Sequence, residues 1–175
     1  MNKLLTITIL MVLVIGGCAN LSGDRESEEQ MMSTYQNLLE KDKAKEVVNQ
    51  LFINTDSRDW DKVSQLFAAK VLFDMTSMVG GKPVMLTPQE IVSSWDKGLK
   101  PLKAIHHQAG NYIVNVNQNE ANVFCYGIAS HYLPNKTNQH TRTFVGSYEF
   151  HLIKNGENWQ IDKFKFNLKY IDGNP

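Results

Sequence analysis

The stretch VGSYEFHLIKNGENWQI, residues 145–161, decides the fold. Tyr148 and Phe150 alternate with Glu149 and His151, the two-residue period of a strand with one buried face. The polar NGEN then interrupts, and alternation resumes from Trp159, which predicts a β-hairpin. In the second arm Phe164, Phe166, Leu168 and Tyr170 alternate with Lys163, Lys165, Asn167 and Lys169, one apolar face against one basic, solvated face.

Working back from this hairpin, strand-like runs cover His106–Val116, Ala121–Leu133, Arg142–Lys154 and Trp159–Tyr170. The polar turns NQNE, PNKTNQH and NGEN separate them. Helical spacing dominates the earlier part. Val47, Val48, Leu51 and Phe52 recur on one stripe, followed by a short second helix with Trp60, Val63, Leu66 and Phe67. KVLFDMTSMVGG changes period, with Val71 and Phe73 on one side and Leu72 and Asp74 on the other, and ends at Gly80-Gly81. TPQEIVSSWDKGL predicts a third helix: Thr87 is an N-cap, Pro88 suits the first helical position, and Glu90 completes a capping box. Helices followed by long antiparallel strands define an α+β domain. The expected form is a cone, with the N-terminal helices packed in the concave face of a strongly curved, mostly antiparallel sheet.

The N-terminus differs in character. Lys3 precedes LLTITILMVLVI, twelve apolar residues, and then GGC ending at Cys18. That run is too short to span a hydrocarbon core of about 30 Å, and has the length of a secretory leader. Ile15-Gly16-Gly17-Cys18 resembles the lipobox of bacterial lipoproteins, in which the leader (here residues 1–17) is removed and the cysteine is lipidated. The resemblance implies a palmitate-type acyl anchor on Cys18 and a cell-envelope location. Ala19, rather than Asp, after the cysteine implies the outer membrane in a diderm cell. Residues 18–41, starting with the polar ANLSGDRESEEQ, read as a flexible tether, leaving 42–175 as the domain.

Composition excludes several classes. The 18 basic residues balance the 18 acidic ones, so no basic stripe points to nucleic acid. The second of the two cysteines, Cys125, lies within a predicted strand, so no disulfide framework is expected. No Cys/His spacing suits a metal, no glycine-rich loop suits a phosphate, and no nucleophile motif is present, so no cofactor is expected.

From about Lys43 to Asn174 the chain resembles the SnoaL-like branch of the nuclear transport factor 2-like superfamily. The resemblance rests on LFAAKVLFDMTS, LTPQEIVSSW, HHQAGN, GIASHY, VGSYEFHLIKNGENWQI and the closing Gly173-Asn174. The superfamily includes dehydratases, ketosteroid isomerases, polyketide cyclases and binding modules, so function must be argued from the pocket. Homodimerisation through the outer sheet face is a further expectation from the resemblance.

Four polar residues could carry chemistry. Asp74 sits among Val71, Leu72, Phe73 and Met75, and the resemblance matches it to a cavity-facing aspartate. His131 shares a face with Val123, Cys125, Gly127 and Ala129, small side chains that leave room for a ligand. His106 and His107 are adjacent, so only one can face the interior. Simple alternation selects His106, together with Tyr112, Val114 and Val116. The resemblance selects His107, through the His-x-x-x-Asn spacing to Asn111, and a bulge at Gly110 would flip parity in its favour. Trp95, Tyr126, Tyr148, Phe150 and Trp159 are candidate pocket walls. Two functions follow: a lipid-anchored domain binding a small, largely apolar ligand or partner, or a cofactor-independent dehydratase/isomerase with Asp74 and His107 as its acid–base pair.

Overall fold

The computed structural model describes residues 18–136 and 138–174, with side chains from residue 24 onward. The elements are α1 (Cys18–Ser57), α2 (Trp60–Gln65), β1 (Phe67–Asp74), α3 (Thr76–Val79), β2 (Val84–Leu86), α4 (Pro88–Leu99), β3 (Ala104–Asn117), β4 (Glu120–Tyr132), β5 (Thr141–Asn155) and β6 (Asn158–Gly173). The leader expected at 1–17 and the acylation expected at the Cys18 side chain lie outside the described residues.

The chain divides into two compact units after Gln36. The described part of the first unit is helical, continuous with α1. This segment has no apolar stripe. Glu, Gln, Arg and Met are good helix formers even on a polar surface, and pairs such as Arg25–Glu29 lie one turn apart.

The second unit, from Asn37, contains one six-stranded sheet in the order β2-β1-β6-β5-β4-β3. Only the β1–β6 pairing is parallel. Helices pack on one face of this curved sheet, the α+β cone expected from the sequence. Its core joins Val48 and Leu51 of α1, Val63 of α2 and Ile91 of α4 to Val71, Val123, Cys125, Leu152 and Ile161 of the strands. The capping box at Thr87 is present: the Thr87 hydroxyl accepts from the Glu90 amide, and the Glu90 carboxylate accepts from the Thr87 amide.

Register irregularities set which side chains face inward, and two of them bear on the site and its rim. In β3 the pairing slips by one residue between Gly110 and Ile113, and Asn111 there has φ +56°. The extra residue inverts alternation, so His107 and Ala109 share the inner face with Tyr112, Val114 and Val116. In β6 the pairing slips again around Lys169, between the Val145–Tyr170 and Gly146–Leu168 pairs. Tyr170 therefore leaves the apolar face it was expected to share with Phe164, Phe166 and Leu168, and is exposed.

Candidate active site

Between the helices and the sheet lies a cavity of about 260 Å³. Leu51, Phe52 and Thr55 of α1 form one wall, and Ser94, Trp95 and Leu99 of α4 another. The sheet contributes His107, Ala129, His131, Phe144, Tyr148, Phe164 and Phe166. Trp95 is held by edge and tilted contacts with Phe67, Phe73 and Phe164. The Trp60 indole N–H donates to Asp96 (2.8 Å), fixing α2 against α4.

Asp56, in the last turn of α1, organises the polar side of this cavity. One of its carboxylate oxygens accepts from the His107 backbone N–H (2.8 Å), the other from His107 Nδ1 (2.6 Å). An ionised carboxylate only accepts, so Nδ1 carries a proton, and Nε2 is the nitrogen that holds a lone pair whenever the imidazole is neutral. Phe52 stacks on the His107 ring, with centroids 5.3 Å apart, and fixes its plane. An acidic residue at a helix C-terminus faces the negative end of the helix dipole, an unfavourable placement worth about 0.3–1 kcal/mol. The two N–H groups of His107 offset that cost.

Asp74 does not join this pair. Its carboxylate accepts from the Thr76 hydroxyl (2.6 Å) and the Thr76 amide (2.9 Å), anchoring the start of α3, and Thr76 holds its pKa below the usual carboxylate value. It is not among the cavity-lining residues, which corrects the expected Asp74–His107 couple. His106 points outward, with 74% of its side chain exposed, and approaches Asp56 only at 3.7 Å. His131 lies in the cavity wall, on the strand face it shares with Cys125, Gly127 and Ala129, and makes no hydrogen bond among the described residues. Burial first, and then Arg142 and a protonated His107, lower its pKa to about 4, so its ring is neutral at physiological pH.

Among the aromatic candidates, Trp95 and Tyr148 line the cavity. Burial raises the Tyr148 pKa, so its phenol remains protonated. Phe150 is packed in the core against Tyr148 and Phe164 rather than facing the cavity. Trp159 is also core, its indole N–H donating to Glu40 (2.8 Å). Tyr126 lies on the opposite face of the sheet, under the Lys169 ammonium, 4.0 Å from the ring centroid. Strand parity explains this, since Tyr126 is one residue from the inward-facing Cys125. Among the described residues no cluster of His, Cys, Asp or Glu has the arrangement of a metal site.

The residue missed from sequence is Asp56. It stands 51 positions before His107, so no local motif joins them. The one available signal was a carboxylate in NTDSRDW, at the end of a helix where its charge is disfavoured.

Fold and site together describe a cone-shaped α+β domain with an Asp–His pair in an apolar cavity. Residues 36–165 match the model of the SnoaL-like domain, and the chain belongs to that family. No curated protein sequence matches it. Among solved structures, a protein of Kribbella flavida is similar at 16% identity and TM-score 0.70, covering 74% of this chain and 90% of that one. A protein of Novosphingobium aromaticivorans that carries the provisional name scytalone dehydratase is 14% identical with TM-score 0.68, covering 81% and 92%. A hexachlorocyclohexane dehydrochlorinase of Novosphingobium barchaimii is 10% identical with TM-score 0.65, covering 78% and 90%. At these identities the likeness is one of fold.

Proposed function

We propose that this protein is a cofactor-independent proton-transfer enzyme of the dehydratase/isomerase type, acting on a small, largely apolar substrate. The observation that carries the reading is the double hydrogen bond from His107 to Asp56, which leaves Nε2 as a base beside an apolar cavity. Nε2 removes a proton from a carbon next to a carbonyl, and the electron pair passes into the enolate oxygen. Asp56 stabilises the imidazolium so formed. The Tyr148 phenol and the neutral ring of His131 supply N–H and O–H donors for the oxyanion. The proton on His107 then goes to a departing hydroxide, giving water and an enone, or to another carbon, giving the isomer. Two of the structurally similar proteins bear names of elimination reactions, which accords with this chemistry.

The test uses the full chain in deuterated water with phenyl-substituted β-hydroxy ketones, followed by NMR for α-deuteration and enone formation. Wild type is expected to accelerate one or both, and His107→Gln to lose roughly 10²–10⁴ of that rate, the usual worth of a general base. Asp56→Asn is expected to show a smaller loss with a shifted pH profile. Exchange no faster than in buffer defeats the catalytic reading. The second reading, a pure binding domain, is favoured by the wall of Leu51, Phe52, Trp95, Phe144 and Phe164. Saturable ketone binding without exchange would select it.

In the cell we place the domain on the envelope, anchored by lipid on Cys18, on the strength of Ile15-Gly16-Gly17-Cys18. Labelling with an alkyne palmitate analogue should mark wild type and not Cys18→Ala; equal labelling removes the anchor. The outer sheet face exposes Ile113, Tyr126, Ile128 and Tyr170, which supports the expected homodimer. A monomer in sedimentation equilibrium at micromolar concentration ends that reading.

A further inference from the structure

We propose that Arg142 forms an anion-binding subsite beside the cavity, and that the ligand is a small apolar molecule bearing a single carboxylate. The inference deepens the proposed function and rests on the cavity being the ligand site.

Arg142 lies on the inner face of β5, in the same register row as His131 of β4 and Gly173 of β6. Registered residues of antiparallel strands point to the same side, so the guanidinium has His131 as one neighbour and, at Gly173, no side chain to cover it. Its Cζ lies 5.0 Å from the centroid of Phe144, and the Phe144 ring lies 5.0 Å from that of His131. Phe144 and His131 both line the cavity, which places the guanidinium directly beyond its wall. Burial is the first cause that disfavours protonation of His131, and the Arg142 charge adds to it.

The guanidinium has no carboxylate in ion-pair range among the described residues, and its Nε is buried without a hydrogen-bond partner. A buried charged donor left unpaired is costly and is ordinarily satisfied. The Phe144 ring face attracts the cation but supplies no acceptor for Nε. A side-on guanidinium presents Nε and one Nη as a fork that matches the two oxygens of a carboxylate. The ligand charge follows from the surroundings: no lysine or arginine lines the cavity, so one cation faces one anion. A doubly charged phosphate monoester would leave charge uncompensated against apolar walls. The ligand is therefore anchored by its carboxylate near His131, with its apolar body between α1, α4 and the sheet.

The experiment compares phenylbutyrate with its neutral primary amide, titrated into the full chain at neutral pH and followed by calorimetry. Wild type should bind the acid roughly ten- to a hundredfold tighter than the amide, the worth of a charge-assisted hydrogen bond. Arg142→Gln should bring the acid to the amide's affinity and leave the amide unchanged, which also shows that the cavity is intact. If Arg142→Gln does not fold, Arg142→Lys carries the test: it keeps the charge without the fork, and the acid's advantage should shrink severalfold. Equal binding of acid and amide by wild type, or an acid preference that survives the loss of Arg142, overturns the subsite alone. Failure of both probes to bind overturns the cavity as a ligand site, and the subsite with it.

Discussion

Gly127 carries no side chain because the Tyr148 ring occupies the space where a Cβ would stand. The two residues sit on neighbouring inner-face rows, with Cys125 registered against Tyr148 and Gly127 against Gly146. The bare backbone leaves room for the large Tyr148 ring to lie close over the strand in the cavity wall. Gly127→Ala is expected to push that ring away and to destabilise the fold by about 1–3 kcal/mol, as overpacking does. Urea unfolding measures the stability, and the Tyr148 ring shifts in NMR report the displacement; an unchanged midpoint with unchanged shifts would contradict the account. The same scale explains Asp56 and His107. Each is polar and part-buried, and each is satisfied by the other.

At the scale of elements, the bulge in β3 determines which histidine enters the cavity. Asn111 adopts φ +56°, a conformation open to glycine and tolerated by asparagine, but costing about 1–2 kcal/mol for other L-residues. Asn111→Val should therefore lower stability by about that amount, whereas Asn111→Gly should stay near wild type. Thermal or urea denaturation of the two variants distinguishes this from a position of ordinary backbone, where valine would be the better strand residue. The bulge was anticipated at Gly110 from HHQAGN, one residue short of the positive φ. The slip at Lys169 in β6 was not anticipated, because Lys163 to Tyr170 alternates without a break and a bulge leaves no mark in such a run. A strand's face depends on its partner's register as much as on its own pattern.

For the whole molecule, two groups predict how stability depends on acid. His131 has a folded-state pKa of about 4, below its ordinary 6.5, so the unfolded chain binds the proton first as pH falls. Stability is then full above about 6.5 and declines as pH drops from there toward 4. Glu40 is held at about 2, first by Lys43 and further by Lys154 and Trp159 against its own burial, so its contribution is present above 4.5 and lost as pH falls toward 2. Urea midpoints measured against pH should show both declines. His131→Gln should remove the upper one and leave the lower, and a His131→Gln profile identical to wild type would refute the assignment. Glu40 and Trp159 stand 119 positions apart, so this contact ties α1 to β6 across nearly the whole domain.

Read alone, the residues establish the order of the longer helices and strands, the last hairpin, the capping box at Thr87 and the membership of His131 in a face of small residues, but not the short α3 and β2 inside KVLFDMTSMVGGKPVML. Those features follow from short-range periodicity and local capping chemistry, which need no knowledge of distant partners. Local pattern narrows the histidine pair to a question of register without answering it. Long-range pairing, not local pattern, sets that His107 faces inward, that Asp56 rather than Asp74 is its partner, and that the Arg142 Nε has no partner among the described residues. Each depends on which backbone segments pair and with what offset. The physical reason is that a side chain's direction alternates every residue along a strand, so one extra residue at Asn111 exchanges the histidines. A helix end then meets that strand 51 positions away, at a distance no local pattern records.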